Sequence, residues 1–144
     1  MKRVFLDANV VIDALLEVDG KMEAALRILS LADMGKIEAY CSSLSLGTAS
    51  YFMEKAKMSH SLVIRKLNIF CGYCIPTRVD ASVVRQALDS EFTDFEDALQ
   101  YFSALTENAD IIVTRNERDF THSTIPVYQP NQFLALMEDE LNKQ

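Results

Sequence analysis

Val4-Phe5-Leu6 is a short apolar run of the kind a buried strand shows, and Asp7 stops it. Beyond it Val10, Val11, Ala14 and Leu15 recur at helical spacing, until Val18-Asp19-Gly20 breaks the segment. A second helix is predicted from about Lys21 to Met34, with Met22, Ala25, Leu26, Leu29 and Ala32 as its stripe. Gly35 closes it, at a position that favours a left-handed residue. Ile37 to Cys41 reads as a second strand. Ser42, Ser43 and Ser45 then offer caps for a helix carrying Leu46, Ala49, Phe52 and Met53. Another helix starts at Ser59 or Ser61 and runs through Leu62, Ile69 and Phe70. Tyr73 to Ile75 is a third strand, stopped by Pro76, and Ala81 to Leu88 is a short helix.

The strongest helical signal is Asp94 to Glu107, where Phe95, Ala98, Leu99, Phe102 and Leu105 keep one face apolar. The strongest strand is Asp110-Ile111-Ile112-Val113, ended by Thr114. A short strand at Pro126 to Tyr128 precedes Pro130, which fits the first turn of a closing helix bearing Phe133, Leu134, Met137 and Leu141. Strands alternating with helices imply an α/β fold, a parallel sheet covered on both faces with right-handed crossovers.

Length and charge narrow this picture. At 144 residues, 49% of them hydrophobic, the chain is expected to form one globular domain spanning 1–144. Fourteen basic residues against 21 acidic ones give a net charge of −7, which excludes a generic cationic nucleic-acid coat. Any polyanion must meet a local basic patch or a bound cation. No apolar run reaches the roughly 18–20 residues of a membrane helix. Asp7 interrupts the only apolar stretch near Met1, so neither a signal peptide nor membrane association is expected and the protein is assigned to the cytoplasm. Three cysteines, Cys41, Cys71 and Cys74, argue against a disulfide framework.

Chemistry belongs beyond the carboxyl ends of the strands, where open parallel sheets bind ligands. That rule selects Asp7 and Asn9 after the first strand, and Thr114, Arg115, Asn116 and Asp119 after the fourth. Asp94 and Asp97, three apart at the start of the long helix, share a face. Converging carboxylates repel one another unless a cation neutralises them, and an all-oxygen set suits Mg²⁺ or Mn²⁺ better than zinc. Such a site activates water and steadies charge on a phosphoryl oxygen. Helix capping accounts equally for the acids of the long helix: Asp94, Glu96 and Asp97 occupy its first turn, and Thr93 with Glu96 matches a capping box.

Other features carry less. Cys71-Gly72-Tyr73-Cys74 has redox spacing but closes a helix instead of opening one, so buried thiols are expected. His60 and His122 are isolated. Lys55, Lys57, Arg65 and Lys66 form the densest basic stretch, readable as a phosphate contact or as a solvated helical face. Arg115 and Arg118 adjoin the candidate site.

Three anchors together resemble a PIN domain: Val4 to Asp13, Asp94-Phe95-Glu96-Asp97-Ala98-Leu99-Gln100, and Ile112 to Phe120. The resemblance implies a three-layer fold with a five-stranded parallel sheet. It also implies a metal-dependent ribonuclease of the VapC-like toxin type, with RNA as substrate and a cognate antitoxin as partner; a homodimer is expected. It makes Asp7 and Asp97 the metal ligands, Asp94 and Asp119 further catalytic acids, and Asn9, Thr114, Arg115 and Asn116 substrate contacts. Two positions depart from the family pattern. Gly47 stands about where the helix after the second strand usually carries an acid, and Asn116 stands where Asp is usual. The thinner acidic set keeps open a second reading, a PIN-like binding module with weakened or lost catalysis. A haloacid-dehalogenase-like phosphatase needs Asp where Asn9 stands, and a Rossmann oxidoreductase needs a glycine fingerprint that is missing.

Overall fold

The computed structural model describes residues 1–143. In chain order it forms β1 (Lys2–Leu6), α1 (Ala8–Leu15), α2 (Met22–Asp33), β2 (Ile37–Ser42), α3 (Ser43–Lys55), α4 (His60–Cys71) and β3 (Cys74–Thr77). Then come α5 (Ala81–Leu88), α6 (Phe95–Thr106), β4 (Ile111–Val113), a 3-10 turn (Glu117–Phe120), β5 (Val127–Tyr128) and α7 (Pro130–Asn142). The five strands make one parallel sheet in the order β3-β2-β1-β4-β5. The expected architecture is therefore the observed one.

Local chemistry sets the boundaries. Ser42 caps α3 by accepting from the Ser45 amide at 3.1 Å, and Ser59 caps α4 by accepting from the Leu62 amide at 3.2 Å. Gly35 takes the left-handed conformation after α2, with φ of 71°. Two expectations shift. Pro76 does not end its strand but lies within β3, opposite Cys41. β3 is an edge strand, where the hydrogen bond a proline cannot make is dispensable. The cap of α6 is Asp94 and not Thr93, with the Asp94 carboxylate accepting from the Asp97 amide at 3.1 Å.

Strand alternation divides the core between the two faces of the sheet. Val4 and Leu6 of β1, with Ile111 and Val113 of β4, face α1, α2, α3 and α7. Phe5 and Ile112 face the other way, onto Tyr101 and Ala104 of α6 and onto Phe120. Val83 and Ala87 attach α5 to Ala98 and Leu99 of α6. Cys41 and Cys74 are buried and Cys71 is exposed, all as free thiols. Lys66 of the basic stretch sits 3.4 Å from Glu17. Among the described residues no helix is long and apolar enough to cross a membrane.

The chain moves from β1 outward to β2 and β3, then returns to the other side of β1 for β4 and β5. The order therefore reverses between β1 and β4, and the crevice beyond their carboxyl ends is where such a sheet binds ligands. Leu6 pairs with Val113 at that point and is 1% exposed. Leu6→Ala should cost about 3–5 kcal/mol, the usual scale of a cavity left in a rigid core. Urea unfolding checks this, and a loss under about 1 kcal/mol would show that the centre of the sheet collapses onto the void.

Candidate active site at the switch point

Asp7 is the first residue past β1 and the N-cap of α1. Its Oδ1 accepts from the Ala8 amide at 2.8 Å, and its own amide donates to the Val113 carbonyl at 2.9 Å. Oδ2 accepts from the Thr114 hydroxyl at 2.8 Å and from Asn9 Nδ2 at 3.3 Å. The residue is 5% exposed. Burial pushes its carboxyl above the ordinary value. The bonds from Thr114 and Ala8 pull against that shift, and the charge of Asp119 adds to it.

Thr114, Arg115 and Asn116 follow β4; the first two are bound to α1 and the third to Thr114. Asn9 Nδ2 also reaches Thr114 Oγ1 at 3.2 Å, and Asn9 Oδ1 accepts from the Arg115 amide at 3.2 Å. The Asn116 amide donates to Thr114 Oγ1 at 3.1 Å. The Asn116 side chain caps nothing in the turn that follows, and the residue is exposed. The Arg115 guanidinium does not face solvent alone. Its Nε donates to Asp13 Oδ2 at 2.7 Å and its terminal nitrogen to Asp13 Oδ1 at 3.3 Å.

Across the crevice α6 supplies Asp94 and Asp97. Asp94 is spent partly on the cap. Asp97 is half-buried, and its carboxyl is raised to about 7, first by burial and then by the charges of Asp94, Asp7, Asp119 and Glu96. One turn further along α6, Gln100 is 3% exposed. Its Nε2 donates to Ser45 Oγ at 2.8 Å, its amide also favours the charged form of Asp7, and its Oε1 has no partner. An orphaned buried carbonyl oxygen calls for a water or a ligand.

The structure thus brings Asp7, Asn9, Thr114, Arg115 and Asn116 together at one edge. Asp97, Asp94 and the exposed Asp119 lie close enough for their charges to be felt there. Yet among the described residues no three His, Cys, Asp or Glu side chains stand near enough to enclose a metal ion. The two facts agree, because charges interact over about 8–10 Å while a hard cation's ligands lie within about 2.0–2.6 Å of it. The donor set is all oxygen. Carboxylate and amide oxygens are the donors that a hard cation such as Mg²⁺ takes. With Gly47 in place the first acid of α3 is Glu54, near its far end, and a Cβ at Gly47 would meet no atom beyond its own helix within 4 Å.

Three residues of this edge went unread in the sequence: Asp13, Ser45 and Gln100. Asp13 and Gln100 had a signal. Each is a polar residue on the buried side of an amphipathic helix, and such a residue needs a partner.

A family model described as PIN domain matches residues 3–118. Ribonuclease VapC1 of Aquifex aeolicus (strain VF5) is 25% identical over 135 residues, covering 92% of this chain and 93% of the relative. The structure of VapBC2 from Rickettsia felis, bound to a DNA fragment from their promoter, superposes with a TM-score of 0.64 at 20% identity. It covers 88% of this chain and 97% of that one. Mycobacterium tuberculosis VapC20, described as a toxin cleaving the sarcin–ricin loop, superposes with a TM-score of 0.57 at 16% identity over 76% of this chain and 86% of its own.

The raised Asp97 has a consequence for stability. Its folded pKa of about 7 lies above the roughly 3.9 of an unfolded Asp. The folded state therefore holds the proton more tightly, and without a cation stability is lost as pH rises from about 4 through 7. Asp97→Asn should flatten that part of the profile and raise the melting temperature of the metal-free protein at pH 8. A lower melting temperature at pH 8 would mean that the acid serves α6 mainly as a charge at its N-terminus.

Proposed function

The chain belongs to the PIN domain family, and from that premise we propose that it is a divalent-metal-dependent endoribonuclease, the toxin member of a toxin–antitoxin pair. The observation that carries this reading is electrostatic. Asp97 stands at the mouth of the switch-point crevice with a pKa near 7, crowded by three other Asp residues and Glu96. Capping accounts for Asp94 and Asp7 singly, and a cation would relieve the mutual repulsion of the group.

Asp7 and Asp97 are the residues that would hold Mg²⁺ or Mn²⁺. Such an ion supplies Lewis acidity toward a phosphoryl oxygen and lowers the pKa of water toward neutrality. The chain's own groups do the rest. Thr114 and Asn9 fix the Asp7 carboxylate by hydrogen bonds to Oδ2, and the α1 cap fixes Oδ1. Asp97, raised to about 7 without a cation, would be held ionised by a bound one, so its role in the loaded site is that of a ligand. Asp94 and Asp119 add negative potential, and the exposed Asn116 offers a neutral contact to the sugar and phosphate of RNA, while Thr114, which is fully buried, serves by holding Asp7. A cognate antitoxin, self-association as a dimer and a cytoplasmic location complete the reading.

One observation favours a second reading, a PIN-like module that binds RNA or protein without cutting. With Gly47 and Asn116 in place, no three acids of the described residues converge. The two readings separate on one assay, cleavage of a single-stranded RNA with and without Mn²⁺. The nuclease reading expects Mn²⁺-dependent cleavage that falls at least about a hundredfold in Asp7→Asn and in Asp97→Asn, the scale of a lost electrostatic contact in the transition state. RNA binding with no cleavage under any divalent cation would favour the binding module.

The departures from the family pattern give a further test. Cation affinity rises with ligand charge, so Asn116→Asp should tighten Mn²⁺ binding in calorimetry. Gly47→Glu should tighten it too, since a side chain at Gly47 meets nothing. If both leave Mn²⁺ affinity unchanged, these two positions lie outside the site.

A further inference from the structure

Arg115 looks at first like a cation for the RNA backbone, since it adjoins the crevice of an otherwise acidic protein. Its contacts say otherwise. The partner, Asp13, is on the buried side of α1, and its side chain is 3% exposed against 33% for Arg115. Two guanidinium nitrogens meet two carboxylate oxygens, the fork geometry that arginine makes and lysine does not. Drawing Arg115 out to a phosphate would leave a bare carboxylate in the core, which is the costly way to break a buried pair.

We infer that Asp13 and Arg115 are a positioning pair, which locks the loop Thr114–Asn116 onto α1 and so holds Thr114 against Asp7 and Asn116 at the edge of the crevice. The loop is fastened at three successive residues. Thr114 Oγ1 donates to Asp7, the Arg115 amide donates to Asn9, and the Asn116 amide donates to Thr114. Arg115 lies between Thr114 and Asn116, so its backbone position constrains both neighbours. The guanidinium sets that position from the far side, two turns along α1 from Asp7. Asp13 therefore acts on the site through Arg115 and touches neither Asp7 nor Asn116 in any hydrogen bond of the structure.

This inference rests on the nuclease reading for its kinetic consequence and not for the clamp itself, and the experiment keeps the two apart. Asp13→Asn, Arg115→Gln and Arg115→Lys are compared with the parent in Mn²⁺-dependent RNA cleavage. RNA affinity is also measured against salt, and Mn²⁺ affinity by calorimetry. A positioning pair predicts that Asp13→Asn and Arg115→Gln lower kcat and Mn²⁺ affinity by about 10–100-fold, the usual effect of losing a partner behind a metal ligand. KM should stay within about twofold and the salt dependence of RNA binding should stay unchanged, because no phosphate contact is lost. Arg115→Lys should recover only part of kcat.

A phosphate contact predicts the opposite. Arg115→Gln would raise KM and reduce the salt slope by about one charge, Arg115→Lys would restore both, and Asp13→Asn would leave kcat alone. That pattern overturns the inference. Should Arg115→Gln fail to fold, Asp13→Asn and Arg115→Lys still separate the two outcomes. If the parent neither cuts RNA nor binds Mn²⁺, the nuclease reading fails. The clamp is then decided by amide hydrogen exchange at Arg115 and Asn116, faster in Asp13→Asn if the clamp exists and unchanged if it does not.

Discussion

Asp7 joins three elements through one residue. Its carboxylate caps α1 on one oxygen and takes the Thr114 hydroxyl of the β4 loop on the other, while its backbone ties β1 to β4. A buried carboxylate with that many donors satisfies the rule that buried charge must be hydrogen-bonded. It also decides where the crevice is. Because the sheet order reverses between β1 and β4, whatever fixes the ends of those strands to each other fixes the floor of the site. The donors that make burial tolerable are the same ones that aim the carboxylate, so the stability of this corner and the orientation of Asp7 have one cause.

Around that corner the charges are sorted by use. Arg115 is committed to Asp13 and cancels a charge inside the protein instead of facing the crevice. The acids left facing outward, Asp97, Asp94 and Asp119, are partly or wholly exposed. A chain of net charge −7 then presents acidic groups at the crevice beyond β1 and β4. On the proposed nuclease reading a cation at this edge would offset the Coulomb repulsion between these acids and RNA.

Much of this could be read in the sequence, and the reason is geometric. Strand runs and helical stripes locate the ends of β1 and β4 and the start of α6, and a parallel sheet makes those ends the site. Asp7, Asn9, Thr114, Asn116 and Asp97 follow from that without knowing any contact. What could not be read is pairing across the chain. Asp13 and Arg115 lie 102 residues apart, and Gln100 reaches Ser45 over 55. Only folding brings them together, and a lone polar residue on a helix stripe tells that a partner exists without telling which. Local detail misled in two places for a related reason. Thr93 and Glu96 matched a capping box, but Asp94 offers the α6 amides a carboxylate from within the same turn. Pro76 looked like a stop because its tolerance depends on β3 lying at the sheet edge, a tertiary fact.

Asp97 ties these strands of argument together. Its pKa near 7 has burial as its largest cause, with the neighbouring charges next, so the group is poised before any ion arrives. Protonation removes one negative charge from the crevice, which eases the approach of RNA and weakens the hold on a cation. Ionisation does the reverse. On the proposed nuclease reading the two requirements would pull Asp97 in opposite directions across neutrality, and a bound cation would favour the ionised form of the group. The neutral side chain of Asn116 and the bare backbone at Gly47 shift that balance one way: fewer charges oppose the RNA, and fewer hold the ion.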